Sequence, residues 1–209
     1  MISIKCYVIG MIGTNCYLVE DEATGAMAVI DPADHSDALI KEIDARIGTG
    51  GRLAYILLTH GHYDHITGAA ELCERYHPTV CASEKELTVI AEPGYNLSKN
   101  HGISIAPFTV DRPLKDGDTI MLGESEIRFI LTPGHTMGSG CYIVDDSIFS
   151  GDTLFCSSVG RTDFPTSSMR DMMRSVERLK NLDGDYDVYP GHDIFTTLDR
   201  ERKHNPFMR

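Results

Sequence analysis

Within the run Thr59-His60-Gly61-His62-Tyr63-Asp64-His65, three imidazoles and a carboxylate fall inside six consecutive positions. Neutral imidazole and carboxylate together suit zinc, ferrous iron or manganese, and alternate residues of an extended stretch can converge on one ion. A chain of this make-up would show such a pattern by chance roughly one or two times in a thousand, so metal binding outweighs a merely polar loop. Three further segments carry the same kinds of donor: Thr132-Pro133-Gly134-His135, Ser150-Gly151-Asp152-Thr153 and Tyr189-Pro190-Gly191-His192. Each follows an apolar run and sets glycine beside the donor, where a bare backbone turns sharply and approaches closely. Taken singly, a histidine or aspartate after a strand is more often a cap or a satisfied polar group. Together with the histidine loop they give seven donors, His60, His62, Asp64, His65, His135, Asp152 and His192. That is too many for one tetrahedral ion and suits two.

The elements that must deliver these donors alternate in type. Strand-like runs at 4–9, 16–19 and 26–30 with turn residues between them predict an antiparallel meander ended by Asp31-Pro32. Leu39, Ile43 and Ile47 then recur at helical spacing before Gly48, and a buried strand over 53–58 runs directly into the histidine loop. Beyond the loop, Ala69, Leu72, Cys73 and Tyr76 share one face of a helix predicted over 66–76. A short strand is expected over 79–82, and Ser83-Glu84-Lys85-Glu86 has capping-box form and predicts a helix to about residue 91.

Residues 92–107 carry no clean period and are longer than most connections, which fits a lid over substrate or a surface insertion. His101, with Tyr95, Asn96 and Lys99, is the histidine of that stretch to test for substrate contact; His35, His77 and His204 sit in polar or terminal contexts. Hairpins follow around Gly123-Glu124-Ser125 and Asp145-Asp146, then a helix opened by Ser168, a strand over 186–189 and a helix over 197–204. Strand pairs joined by tight turns, interspersed with helices, predict an α/β fold of mixed sheets with helices outside. The parallel between Ile56-Leu57-Leu58-Thr59-His60 and Ile130-Leu131-Thr132-Pro133-Gly134-His135 has the look of a duplicated half-domain.

Composition narrows the function classes. At 209 residues and 42% apolar content, one domain spanning 1–209 with a sizeable core is expected. No apolar run approaches the roughly 18 residues of a membrane span, and the start lacks a signal-peptide apolar region, so the expected compartment is the cytoplasm. The six cysteines are scattered without a Cys-x-x-Cys pair and read as reduced core residues. A formal net charge of -12 repels a phosphate backbone, which argues against nucleic acid, while two divalent cations would offset that charge where a small anionic substrate approaches. No Gly-x-Ser-x-Gly nucleophile is present to rival the metal reading. Oligomeric state is left open.

The pattern His60-x-His62-x-Asp64-His65, then His135, Asp152 and His192, resembles the signature of the metallo-β-lactamase fold superfamily, from Asn15-Cys16-Tyr17 and Asp31 to His192. The resemblance implies an αββα sandwich of two mixed β-sheets with helices on the outer faces. It implies that His60, His62 and His135 hold a first metal, Asp64, His65 and His192 a second, and Asp152 both. Zinc is the first expectation for the pair, iron or manganese the alternatives. Asp31 corresponds to a carboxylate that supports the histidine loop, although a helix or turn cap before Pro32 is an equal reading of the residue by itself. Two such ions imply hydrolysis by a hydroxide held between them.

Gly151-Asp152-Thr153-Leu154-Phe155, Gly160-Arg161-Thr162-Asp163-Phe164-Pro165 and Asn205-Pro206-Phe207 resemble the glyoxalase II-like subgroup, here without its C-terminal helical region. That implies cleavage of an acyl thioester such as S-lactoylglutathione. Asp152 also stands where β-lactam hydrolases place cysteine. Arg161 is the candidate for orienting an anionic substrate, while Lys180, Arg200, Arg202 and Lys203 read as solvated helix charges. Two alternatives share the fold: a persulfide dioxygenase with a single iron at the first site, to which the Gly-Arg-Thr-Asp-Phe segment is also similar, and a hydrolase of lactones or phosphodiesters.

Overall fold

The strands Ile2–Ile9 (β1), Thr14–Asp21 (β2), Ala26–Ile30 (β3), Arg52–Leu57 (β4), Thr79–Ser83 (β5) and Arg112–Leu114 (β6) lie side by side in that order. The first three are an antiparallel meander, and β3 to β6 run parallel. A second sheet contains Thr119–Leu122 (β7), Ser125–Leu131 (β8), Gly140–Val144 (β9), Ser147–Gly151 (β10), Asp187–Pro190 (β13) and Thr196–Thr197 (β14), in the order β14-β13-β10-β9-β8-β7. Its pairs are antiparallel except β10 with β13. A small ribbon, Leu154–Phe155 (β11) and Ser158–Val159 (β12), follows β10. The computed structural model describes residues 1–209.

Side-chain alternation along the strands sorts the buried residues into three layers. Tyr17 and Val19 of β2, Ala28 and Ile30 of β3, Phe129 of β8, Tyr142 and Val144 of β9 and Phe149 of β10 meet between the sheets. Their neighbours Cys16, Leu18, Met27 and Val29 face outward, where Asp37–Gly48 (α1) and Ala69–Tyr76 (α3) cover them with Leu39, Ile43 and Leu72. On the other side Ile130, Cys141, Ile143 and Ile148 lie under Met169–Lys180 (α6) and Leu198–His204 (α7), through Met172, Val176, Leu179 and Leu198. The result is a four-layer α/β sandwich of two mixed sheets. Each large apolar side chain so buried contributes roughly 1.5–3 kcal/mol. All six cysteines are free, three of them buried. No helix is long and apolar enough to cross a membrane.

The cap expected at Ser168 acts as such in α6, accepting the Asp171 amide, and the structure adds Ser36 and Thr197, which cap α1 and α7 through the amides of Leu39 and Arg200. Two expectations are corrected. The helix predicted over 66–76 is broken: Tyr63–Ile66 (α2) is a separate turn and α3 starts at Ala69. Gly68 causes the break by packing against residues 32–34, its amide donating to Pro32 O at 2.8 Å, and a Cβ there would stand 2.7 Å from Asp34 O. The capping box at 83–86 does not form either. Ser83 ends β5, its hydroxyl accepts the Lys85 amide, and Leu87–Ala91 (α4) begins without a side-chain cap because Glu86 turns inward. Residues 92–107 hold one further turn, Ser98–His101 (α5).

Candidate metal centre

All seven predicted donors meet where the ends of the two sheets come together. His60 follows β4, His62 precedes α2, and Asp64 and His65 lie on α2. His135 follows β8, Asp152 follows β10 and His192 follows β13, so the other sheet supplies the rest. His60, His62 and His135 bring donor atoms within 4.8 Å of one another, as do Asp64, His65 and His192. Asp152 lies between the groups, with Oδ2 3.4 Å from His135 Nε2 and Oδ1 3.4 Å from His65 Nε2. Its Oδ2 is also 3.7 Å from His192 Nε2. Gly191 makes this convergence possible, because a Cβ there would collide with Asp152 Oδ1 and stand 2.7 Å from His65 Cε1.

Outside the centre, the rings are fixed by partners of several kinds. His65 Nδ1 is 2.9 Å from Asp31 Oδ2, His135 Nδ1 is 2.8 Å from the Arg161 carbonyl, and His60 Nδ1 is 3.2 Å from Thr59 Oγ1. A partner on the outer nitrogen sets tautomer and orientation, leaving the inner nitrogen to coordinate. Asp31 also accepts the Thr59 amide at 2.8 Å and its hydroxyl at 2.6 Å. Those three bonds engage both oxygens, so Asp31 braces the start of the histidine loop and is not a cap.

The inner face suits a cation. His62 Nδ1 and His135 Nε2 are 2.9 Å apart, and two lone pairs cannot face each other at that distance without a proton or cation between them. On that face the buried Nε2 of His60 and Oδ1 of Asp152 have no hydrogen-bond partner. Leaving such atoms unsatisfied costs about 1–3 kcal/mol each, and a divalent ion accepted among these donors reduces that cost. Burial, then the repulsion of neighbouring imidazoles, holds His60 well below the usual histidine range; burial also lowers His62 and His135. For His65 burial pulls the same way, but Asp64, Asp152 and Asp31 outweigh it and hold the ring well above that range. His192 is raised too: burial opposes, and its bond to Asp64 with the charge of Asp152 prevails.

Several supporting residues were not singled out for these roles from sequence. Asn15 donates its side-chain amide to the carbonyls of Pro190 and Asp193, each at 3.0 Å, and so ties β2 to the loop bearing His192. Tyr142 donates to Leu58 O at 3.0 Å beneath the histidine loop. Glu86, fully buried, accepts the Gly61 amide at 2.9 Å, the Gly138 amide at 2.8 Å and the Thr136 hydroxyl. Burial pushes its carboxyl up to about 7 against those bonds. The only sequence signal there was the Ser83…Glu86 spacing, which pointed to a cap.

Above the donors opens a cavity of about 400 Å³, walled by Ile12, Tyr63, Leu97, Phe155 and Phe164, with His101 and Arg161 at its edge. His101 packs at a tilt against Tyr63 with ring centres 4.8 Å apart, and Tyr63 N donates to Asn96 O, so the 92–107 segment forms one wall. Asn96 is itself buried and structural. A larger cavity of about 730 Å³ lies under residues 87–110 and contains none of the donors. The guanidinium of Arg161 pairs with Asp163 at 2.8 and 2.9 Å and lies 4.3 Å from the Phe164 ring centre. The helix cations also find partners: Arg202 donates to the carbonyls of Lys180, Leu182 and Gly184, and Arg200 pairs with Glu201.

The model of the metallo-beta-lactamase superfamily matches residues 9–192. The chain belongs to the metallo-beta-lactamase superfamily. Among relatives of this superfamily member, it is 35% identical to the probable polyketide biosynthesis zinc-dependent hydrolase BaeB of Bacillus velezensis, covering 86% of this chain and 72% of the relative. It is 31% identical to the hydroxyacylglutathione hydrolase GloC of Haemophilus influenzae, over 93% and 92% of the two chains. Of solved structures, BLEG-1, described as a B3 metallo-beta-lactamase, superposes with a TM-score of 0.89 at 29% identity, covering 99% of each chain. TTHA1623, solved in a di-iron-bound form, does so with 0.83 at 33% identity, over 97% and 99%. As a metallo-beta-lactamase superfamily member with these His/Asp clusters, the chain is a metal-dependent hydrolase.

Proposed function

We propose that the protein, acting as one unit over 1–209, hydrolyses an acyl thioester of the S-lactoylglutathione type. The observation that carries the reading is the single 400 Å³ cavity onto which both donor groups, Asp152 and Arg161 open. The likeness to a hydroxyacylglutathione hydrolase over nearly the whole chain supports a thioester among the possible substrates. His60, His62 and His135 would hold one divalent ion, Asp64, His65 and His192 another, and Asp152 both; zinc is favoured, with iron or manganese as alternatives. Such ions supply Lewis acidity and lower the pKa of water toward neutrality.

The chain's own residues do the rest. Asp31 and the Arg161 carbonyl meet the outer nitrogens of His65 and His135 and hold both rings in fixed orientation, with their inner nitrogens turned to the centre. Phe155, Phe164, Leu97 and Ile12 wall the acyl group and exclude water. The Arg161 side chain, 68% exposed at the mouth, attracts a substrate carboxylate in exchange for Asp163. Since a thiol ionises near pKa ~8.5, the thiolate leaves without a strong general acid, and none is needed from the chain.

The test is a panel of S-lactoylglutathione, a neutral acyl thioester, a lactone, a phosphodiester and a β-lactam, run on protein of measured metal content, the β-lactam included because of the likeness to BLEG-1. Anaerobic thioester cleavage with two metals bound is the expected result. Rapid turnover of a lactone, phosphodiester or β-lactam with thioesters ignored would sink the substrate reading. One bound iron with persulfide-dependent oxygen uptake would replace hydrolysis by the dioxygenase reaction.

A further inference from the structure

Glu86 touches none of the seven donors, yet both its oxygens are engaged by the loops that carry them. Oε2 accepts the amide of Gly61, which stands between His60 and His62. Oε1 accepts the amide of Gly138 and the hydroxyl of Thr136, just beyond His135. These partners lie 25 residues before Glu86 and 52 and 50 after it, and the loops leave β4 and β8, which belong to different sheets. No strand ladder sets the distance between them. We propose that Glu86 is a positioning residue, clamping the His60–His62 loop and the His135 loop at the separation required by the first metal. The inference rests on reading His60, His62 and His135 as that metal's ligands.

Packing and chemistry agree on a clamp. A Cβ on Gly61 would stand 2.9 Å from Glu86 Oε2 and 3.0 Å from Ile90 N, and one on Gly138 would stand 2.7 Å from Glu86 N. Both loops therefore rest directly on the start of α4. Glu86 makes no ion pair, its carboxylate being met by two amides and a hydroxyl. Filling this space alone would be better served by leucine or methionine, because a buried carboxylate is tolerated only where its lone pairs are used. Glutamine at 86 would keep the shape but turn an amide N–H toward one of the loop donors. One side of the clamp would open while the surrounding core stayed filled.

The experiment is zinc titration of metal-free protein against a chromophoric chelator, paired with thermal unfolding of the same metal-free samples. Glu86→Gln is expected to bind the first zinc about tenfold or more weakly, a loss of the size seen when groups behind metal ligands are changed. A role in folding alone would lower the unfolding midpoint and leave first-zinc affinity at the wild-type value, and that result overturns the proposal. Should Glu86→Gln not fold, Thr136→Val decides, since it removes the hydroxyl's bonds to Glu86 and Ser139 and leaves both amide bonds of the clamp in place; about threefold weaker first-zinc binding is expected, and wild-type affinity overturns the clamp. His62→Ala separates this from the reading beneath it. Zinc binding unchanged in His62→Ala would overturn the ligand set itself, whereas loss there beside an unaltered Glu86→Gln variant overturns only the clamp.

Discussion

Around His60, His65 and His135, all three buried, the ring nitrogens pointing away from the centre meet a threonine hydroxyl, an aspartate and a main-chain carbonyl. At the mouth of the same cavity, the Arg161 side chain is 68% exposed and its partner Asp163 65%. On the floor, Asp31 and Arg161 lie 34 and 26 residues from the histidines they meet, while the rim is held by a local pair that water can replace. Positions on the floor therefore govern whether the centre exists, and positions on the rim govern what enters it.

The largest effect should come from the floor residue shared by both donor groups. Asp152→Ala is expected to reduce turnover by about three orders of magnitude, the scale of removing an essential group, and to leave one metal or none. Metal analysis beside kcat checks both halves. Wild-type loading with wild-type kcat would remove Asp152 from its place between the ions.

Asp31→Asn comes next and isolates bracing from ligation. Asp31 has φ 50°, a left-handed conformation that asparagine also tolerates, so the backbone can persist. The amide, however, offers one acceptor where three donors now bond, and His65 or Thr59 must lose its partner. Metal affinity or kcat/KM is expected to fall about 10- to 100-fold, with the fold retained in circular dichroism. An affinity unchanged from wild type would mean that α2 alone orients His65.

The contrast between floor and rim also explains what could be read from the chain beforehand. The convergence of the candidate donors was legible because each is announced by residue type and by its place after an apolar run: Leu58 precedes Thr59-His60, and Leu131 precedes the segment to His135. Helix α1 was legible in the helical spacing of Leu39, Ile43 and Ile47, and α6 because period and cap agree locally. The clamp at Glu86 was not, because its partners lie 25 and 52 residues away and its local spacing imitates a capping box. The break after Ile66 was hidden for a similar reason, since what redirects Gly68 is the carbonyl of Pro32. Charge is what marks Arg161 in the sequence, yet its fixed contact with the centre is its carbonyl, a group every residue carries. Strands of two residues, such as β11, β12 and β14, are too short to show a period.

That double character of Arg161 yields the smallest expected effect and the sharpest test of the rim. Arg161→Ala deletes the guanidinium and keeps the carbonyl that orients His135, so metal content and kcat should stay within about twofold of wild type. KM for S-lactoylglutathione should rise about threefold to fivefold, the modest scale of an exposed charge contact, and rising salt should shrink the difference. A neutral acyl thioester should show no such change, because it has no carboxylate to exchange with Asp163. Equal losses for both substrates would instead mean that Arg161 acts by shaping the Phe164 wall, over whose ring its guanidinium lies. A fall in metal content would transfer Arg161 from rim to floor and erase the distinction between them.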